Sequence, residues 1–447
     1  MASLKRREVF SPQLLERVLF GELNLPRDSR FAVAFSGGVD SFALLHALTS
    51  TPGAGPQTVR AIHIHHGLHV SADDWAQHCA AVCAQLGVEC TIVRVTVAGH
   101  LGLGPEAAAR MERYDRLREM LSDKEVLLTA HHENDQAETV LLQLLRGAGL
   151  GGMSAVPRSV PFGRGQLVRP LLDVPGSELM RYALGRGLAW VEDPSNQDCR
   201  YSRNFLRHRV MPLIMERWPA APAALARGAR HAASARALLE EVADEDLARC
   251  AVPGVVALRL EALHGLSVPR LANLLRRWLV RGGVGCDTRQ LDRLVHWVGK
   301  EPASARISWP GADLRRYRGL LYHVTSRRVD HFIPLMWDLS APLRVPALGL
   351  MLVPSPETGR GVACARASQV EVRLRRGGEI CRIPPGGHRR RLKKLLQDRG
   401  VPPWERGRLP LLFAGEDLAA VGDLWVCAPY AANNDERGTV IHIEPLA

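Results

Sequence analysis

The sequence predicts an α/β protein with an N-terminal domain built on a parallel sheet, a helical middle domain and a smaller α+β C-terminal domain. Three observations carry that prediction. Over roughly the first 150 residues short apolar runs alternate with helical periodicity, the pattern of βαβ units. From about residue 202 to 296, Ala, Leu and Arg recur at helical spacing, and from about residue 306 β-like runs take over. At 447 residues the chain is too long for one core,, and the changes of texture place the domains at 1–215, 216–330 and 331–447.

Taken in order, the run Arg30 to Phe35 reads as a first strand, and Ser41 to Leu48 as the helix after it. Val59 to Ile64 is a second strand. Ser71-Ala72-Asp73-Asp74 then reads as a capped, acidic first turn opening a helix to about Leu86,. Thr91 to Val97 is a third strand, Pro105 to Leu121 a helix with proline in its first turn, Val126 to Ala130 a fourth strand and Asp135 to Leu145 another helix. Four or five such strands imply a parallel sheet covered on both faces. Residues 146–176 are rich in Gly and Pro and read as a connector packed on this domain. Ala220 to Leu247 and Pro269 to Leu279 are the clearest helices of the middle. Strands are expected at Ile307 to Trp309, Leu320 to Val324, Val370 to Leu374 and Val440 to Ile443, with one helix at Arg389 to Asp398.

Composition is that of a globular chain, 46% hydrophobic and 23% charged, which excludes disordered and collagen-like classes. No apolar run reaches the length of a membrane span. The basic start, Lys5-Arg6-Arg7, lacks the apolar core of a secretory signal, so no membrane partner and a cytoplasmic location are expected. Nine cysteines show no Cys-x-x-Cys pair, so zinc-ribbon and iron–sulfur spacings are absent; Cys79 and Cys83 read as buried reduced thiols. Net charge is +12, and residues 366–408 hold 13 basic against 4 acidic residues. An excess so concentrated suits a polyanionic partner, although basic residues that are nearly all Arg also fit a compositional bias.

Ser36-Gly37-Gly38-Val39-Asp40-Ser41 lies between a strand and a helix. Glycines let the backbone approach a ligand, the helix start offers free N–H groups to an anion, and Asp40 is a carboxylate suited to Mg²⁺ between phosphates. The lysine of a Gly-x-x-x-x-Gly-Lys loop is missing, which suits a cradle for pyrophosphate with chemistry at the α-phosphate. His131-His132-Glu133-Asn134-Asp135-Gln136-Ala137-Glu138 ends a strand and opens a helix. Asn134 or Asp135 can cap it, and Glu138 lies one turn in. The zinc deaminase reading fails for want of a Cys-x-x-Cys. His63-Ile64-His65-His66 ends the second strand, and Arg110, Arg113 and Tyr114 share a helix,. An acidic loop with Glu192, Asp193 and Asp198 precedes Arg203 and Arg207; acids there suit an amino group and arginines a phosphate.

The hexapeptide resembles the pyrophosphate-binding motif of the PP-loop ATP pyrophosphatase superfamily. All the segments in this order resemble the tRNA(Ile)-lysidine synthetases, over about residues 30–215 and again over 375–421, where Arg376-Gly377-Gly378-Glu379, Lys393-Lys394-Leu395-Leu396 and Val401-Pro402-Pro403-Trp404-Glu405-Arg406 carry the likeness. One departure is Asn134, where the family usually has an acid; an amide gives Mg²⁺ no carboxylate, so a metal role shifts to Asp40 or Asp135.

The resemblance implies ATP and Mg²⁺ as cofactors, and L-lysine and a CAU-anticodon tRNA(Ile) as substrates. It implies a two-step ligation at carbon 2 of the wobble cytidine, through an adenylate. Ser36, Gly37, Gly38, Val39, Asp40 and Ser41 are the expected nucleotide cradle, and Asp40, Arg110, His131 and Glu138 the catalytic set. The proton acceptor of lysine attack is open between Glu138 and His131. Glu192, Asp193, Arg203 and Arg207 are expected on substrate. Arg389, Arg390, Arg391, Lys393 and Lys394 are expected on tRNA phosphates, with Trp404 among them, and the middle domain helps to choose the tRNA. The sequence does not fix the oligomeric state; a homodimer is compatible with it. Rival readings are a 2-thiocytidine-type tRNA thiolase, disfavoured by the scattered cysteines, and a non-catalytic RNA-binding protein.

Overall fold

The computed structural model describes residues 9–67, 69–95, 105–300, 305–324, 331–383 and 388–446, without the side chains of 105–109. The basic start at Lys5–Arg7, Leu68 and the tail of the third strand at Val97 lie outside the described residues. The chain forms two compact units, one ending at Glu241 and the other beginning at Val242.

The first unit is organised by a six-stranded sheet: β1 (Phe31–Ala34), β2 (Val59–His65), β3 (Glu89–Arg94), β4 (Val126–Leu128), β5 (Ser159–Phe162) and β6 (Gly165–Val168). Their order across the sheet is β3-β2-β1-β4-β6-β5. All pairings are parallel except β5 with β6. Phe31, Ala32 and Val33 are fully buried, as continuous apolar strands of a sheet covered on both faces must be. Strand order reverses between β1 and β4, and open α/β sheets bind ligands outside the carboxyl ends at that point. The helices expected from the sequence are present at Val39–Thr49, Ala72–Gln85, Pro105–Glu119 and Glu133–Leu145.

The glycine- and proline-rich stretch departs from the expected connector, because it supplies β5 and β6. A Cβ at Gly165 would collide with the carbonyl oxygen of Glu125. That glycine is required by close strand approach and does not act as a chain breaker.

In the second unit, helices Val268–Arg281 and Thr288–Gly299 bury Leu274, Leu275, Leu279, Leu294 and Val298 in one core. The expected helices are accompanied by a five-stranded antiparallel sheet, in which Ala251–Val252, Val255–Arg259 and Ala312–Tyr317, none of them expected, join the expected strands at Arg306–Trp309 and Leu320–His323. Two further antiparallel sheets of five and four strands complete the unit, the latter centred on Leu350–Thr358 paired with Arg437–Pro445. Cys381 and Cys427 are disulfide-bonded, whereas Cys79 and Cys83 are free and buried. The basic helix starts at Leu392 rather than Arg389, and Arg390–Arg391 instead pairs with Ile380–Cys381. No helix among the described residues is long and apolar enough to cross a membrane.

Candidate active site

The hexapeptide turns from β1 into the helix Val39–Thr49. Gly37 takes φ +82°, in the left-handed region, and Gly38 is the extended N-cap residue. The loop is braced by its own hydroxyls. Ser41 Oγ donates to Gly38 O (3.0 Å) and lies 3.0 Å from Ser36 Oγ, while the Ser36 N–H donates to Ser41 Oγ (3.3 Å). The first intrahelical bond runs from the Phe42 N–H to Gly38 O, leaving the N–H groups of Val39, Asp40 and Ser41 without intrahelical partners, as an anion cradle requires. Under the loop, Cys79 Sγ lies 3.3 Å from His63 Nδ1, which itself hydrogen-bonds Phe35 O (2.9 Å). Burial pushes the Cys79 thiol up to about 12. His63 and Cys79 therefore support the loop from below.

Across the sheet reversal, the chain leaving β4 reaches His131 and His132 just beyond the strand's carboxyl end. His132 caps the helix Glu133–Leu145, and its backbone N–H donates to Asp135 Oδ2 (2.9 Å). Its Nε2 lies 3.5 Å from both Asp40 Oδ2 and Asp135 Oδ2, so it bridges the glycine loop to the next helix. Burial opposes its proton, but Asp135 and then Asp40 raise its pKa above the ordinary value. His131 behaves oppositely. Burial, aided by Arg169, Arg110 and Arg203 and opposed by Asp135, lowers it to about 3, and Thr129 Oγ1 lies 2.9 Å from its Nδ1. Asn134 ties two elements together, its Oδ1 accepting the Gly176 N–H (3.0 Å) at the start of helix Gly176–Gly185. A neutral amide serves that tether.

Asp135 and Glu138 are buried and engaged. Arg203 donates to Glu138 Oε2 (2.9 Å) and Asp135 Oδ1 (2.7 Å). Arg207 donates to Glu138 Oε1 (2.7 Å), Glu138 Oε2 (3.0 Å) and Asp135 Oδ1 (3.0 Å). Although burial opposes it, His132 and Arg203 hold Asp135 well below the usual carboxylate range. In this arrangement both oxygens of Asp135 already accept hydrogen bonds, Glu138 is held by two arginines, and Arg203 and Arg207 have their forks on these carboxylates. Their helical spacing, three apart in one segment and four in the other, puts each pair on one face.

Glu192 is exposed, and Asp193 caps a short turn by accepting the Ser195 N–H (2.8 Å). The segment nonetheless passes over the loop, because the Val191 N–H donates to Gly37 O (3.0 Å). Asp198 is held by Arg200. Arg110 stands over the Tyr114 ring, 5.2 Å from its centre. In the second unit Arg389, Arg390, Arg391, Lys393 and Lys394 are all exposed, with Arg390 paired to Asp398 (2.5 Å). Trp404 is half-buried, edge-on to Tyr317 and Tyr322 at 6.1 and 5.1 Å. Sequence reasoning named His132 in its motif but gave it no role of its own, and it missed Arg169, which is signalled only as a charge closing the apolar run Leu167–Val168.

A parallel sheet with a glycine turn at its reversal and no phosphate-binding lysine defines the PP-loop class of ATP-binding proteins, and the PP-loop domain model matches residues 13–214. The TilS substrate binding domain matches 258–322 and the TilS substrate C-terminal domain 370–443. The chain is 38% identical to the tRNA(Ile)-lysidine synthase of Coxiella burnetii over 442 residues, covering 98% of this chain and 97% of that one. It is 40% identical to that of Alkalilimnicola ehrlichii over 96% of both chains. With that of Pseudomonas aeruginosa identity is 42%, over 88% of this chain and 89% of the other. The chain belongs to the tRNA(Ile)-lysidine synthase family.

Proposed function

We propose that this chain joins L-lysine to carbon 2 of the wobble cytidine of a CAU-anticodon tRNA(Ile), consuming ATP and releasing AMP and pyrophosphate. The observation that carries the reading is the junction of the glycine loop with the next strand end through Asp40 and His132, within a chain of this family. In the first step the cytosine oxygen attacks the α-phosphate and pyrophosphate leaves. The N–H groups of Val39, Asp40 and Ser41 receive that departing charge, and Arg110 neutralises the α-phosphate.

Asp40, partly exposed and met only at 3.5 Å by His132, is the carboxylate that would hold Mg²⁺, which supplies charge neutralisation between phosphates; one carboxylate plus substrate oxygens fits that ion. Among the described residues no group of three His, Cys, Asp or Glu forms an all-protein cage.

In the second step the ε-amine of lysine attacks carbon 2, AMP leaves with the oxygen, and the amine loses a proton. His131, with its pKa lowered to about 3, is too weak a base to keep that proton near neutral pH. Glu138 is the other candidate acceptor, and it becomes available when the phosphate of the adenylate competes for the forks of Arg203 and Arg207,. The exposed cations at 389–394 hold tRNA phosphates away from the reacting base.

The test incubates the protein with ATP, labelled lysine and tRNA transcripts that differ only in the anticodon. Label on the CAU transcript, with one AMP released per lysine joined, is the expected result. Equal labelling of all transcripts, or AMP release without labelling, contradicts the reading.

A further inference from the structure

Arg169 follows β6 directly and is 6% exposed. Its backbone N–H donates to Arg158 O (2.8 Å) and its Nη1 to Pro157 O (2.7 Å), but its buried Nε meets no hydrogen-bond partner. Two more guanidiniums converge from the helix Pro105–Glu119. Arg110 and Arg113 lie 5.2 and 5.7 Å from the centre of the Tyr114 ring, which packs edge-on against Phe162 of β5. Burial lowers the pKa of both Arg113 and Arg169; Tyr114 opposes this at both, through a hydrogen bond at Arg169, and Arg110 lowers both further. Beyond burial, Arg113 also depresses His66, just after β2, and Arg169 and Arg110 depress His131, three residues past β4. The three arginines therefore lie along the carboxyl rim, from β2 to β6.

Arg203 and Arg207 are matched by carboxylates. Among the described residues Arg110, Arg113 and Arg169 have no carboxylate at ion-pair distance. Burying a guanidinium without a counter-charge is costly; Arg169 is buried with only neutral partners, and Arg110 and Arg113 stand half-buried beside it, so an incoming anion relieves the cluster. A planar fork suits phosphate oxygens in particular.

We propose that Arg113 and Arg169, flanked by Arg110, form a second phosphate-binding pocket beside the glycine loop that receives a phosphate group of the substrates. The pocket deepens the reading above and rests on it for the identity of those substrates. The group is either a backbone phosphate of the RNA near the target nucleotide or a phosphate of the nucleotide itself. In both cases the neutral His131 adjoins the pocket and adds no repelling charge for the phosphate to overcome.

The test uses the full chain with Arg113→Ala and Arg169→Gln, each checked by thermal melting. One arm measures ATP affinity without RNA. The other measures affinity for a CAU anticodon stem-loop RNA between about 50 and 200 mM salt. An RNA phosphate predicts roughly tenfold weaker RNA binding, a salt slope shallower by about 0.7 to 1 per variant, and unchanged ATP affinity. A nucleotide phosphate predicts roughly tenfold weaker ATP binding with the RNA slope intact. Folded variants that match wild type in both arms overturn the pocket. Should Arg169→Gln fail to fold, Arg113→Ala decides alone. Wild-type protein that binds neither RNA nor ATP overturns the function proposed above. The pocket is then judged by inorganic phosphate, which must raise the melting temperature of wild type more than that of Arg113→Ala.

Discussion

Glu138 and Arg207 are joined by two hydrogen bonds, Nε to Oε1 at 2.7 Å and Nη2 to Oε2 at 3.0 Å. The partners are unequal in burial. Glu138 has a side chain 2% exposed, whereas Arg207 is 36% exposed and Glu138 keeps Arg203 without it. Removing the acid leaves two guanidiniums sharing the single carboxylate of Asp135 over a buried site; removing Arg207 leaves the acid with a partner. Glu138→Gln should therefore destabilise the fold by about 3–5 kcal/mol, and Arg207→Ala by about 1–2 kcal/mol once solvent screening is counted. Urea unfolding measures both. Equal losses would mean that the carboxylate is not the hub of the cluster.

Gly37 is held twice, by its φ of +82° and by Cys79, whose Sγ would lie 2.9 Å from an added Cβ. Gly38 has an ordinary φ of −74°, and its nearest contact would be Ser36 Oγ at 3.4 Å. Gly37→Ala should cost about 1–3 kcal/mol of stability and abolish ATP binding, while Gly38→Ala should melt like wild type. Thermal melting with nucleotide titration separates the two; a Gly37→Ala protein with normal ATP affinity would show that the loop tolerates a different path.

The glycine loop was legible because the change from strand to helix period falls on Gly37 and Gly38, a local signal. The sheet beyond it was less so. Pro161, Gly163 and Gly165 read as breakers, yet they build the β5–β6 hairpin, and Gly165 is there to let Glu125 approach. Asp135, Glu138, Arg203 and Arg207 were each identified from local spacing. Their mutual pairing, across 65 or more residues, depends on tertiary packing that no local pattern encodes. Arg169 was hidden for the same reason. Its meaning lies in the strand order that sets β6 beside β4, and the sequence carries only one charge after an apolar pair.

His131 and His132 titrate in opposite senses. The pKa of His132 is raised in the fold by Asp135 and Asp40, against its burial. Its stabilisation is complete below the unfolded value of about 6.5 and is lost as pH rises through the folded value. His131 is lowered to about 3 by burial and its arginines, so folding works against its protonation, and that penalty grows as pH falls from about 6.5 toward 3. The melting deficit of His132→Asn relative to wild type should be larger at pH 6 than at pH 9. His131→Asn should gain on wild type as pH falls below 6. Deficits that stay constant with pH would show that neither ring changes charge in the way its surroundings dictate.

The exposed cations at 389–394 make a graded prediction rather than a uniform one. Arg389, Arg391, Lys393 and Lys394 are exposed, but Arg390 is committed to Asp398 at 2.5 Å. Reversing the first four to Glu should weaken tRNA binding and flatten its salt dependence by up to about 0.9 in slope for each phosphate no longer neutralised. Arg390→Glu should change the slope less, because a side chain already neutralised by Asp398 releases fewer counterions on binding. The reversals act on docking and not on the reacting atoms, so the adenylation rate at saturating tRNA should stay near wild type while KM for tRNA rises. Filter binding across salt concentrations and a steady-state rate series measure both effects. A slope unchanged in the fourfold variant would take this segment off the RNA surface, and a fall in rate at saturation would mean that it helps place the wobble base itself.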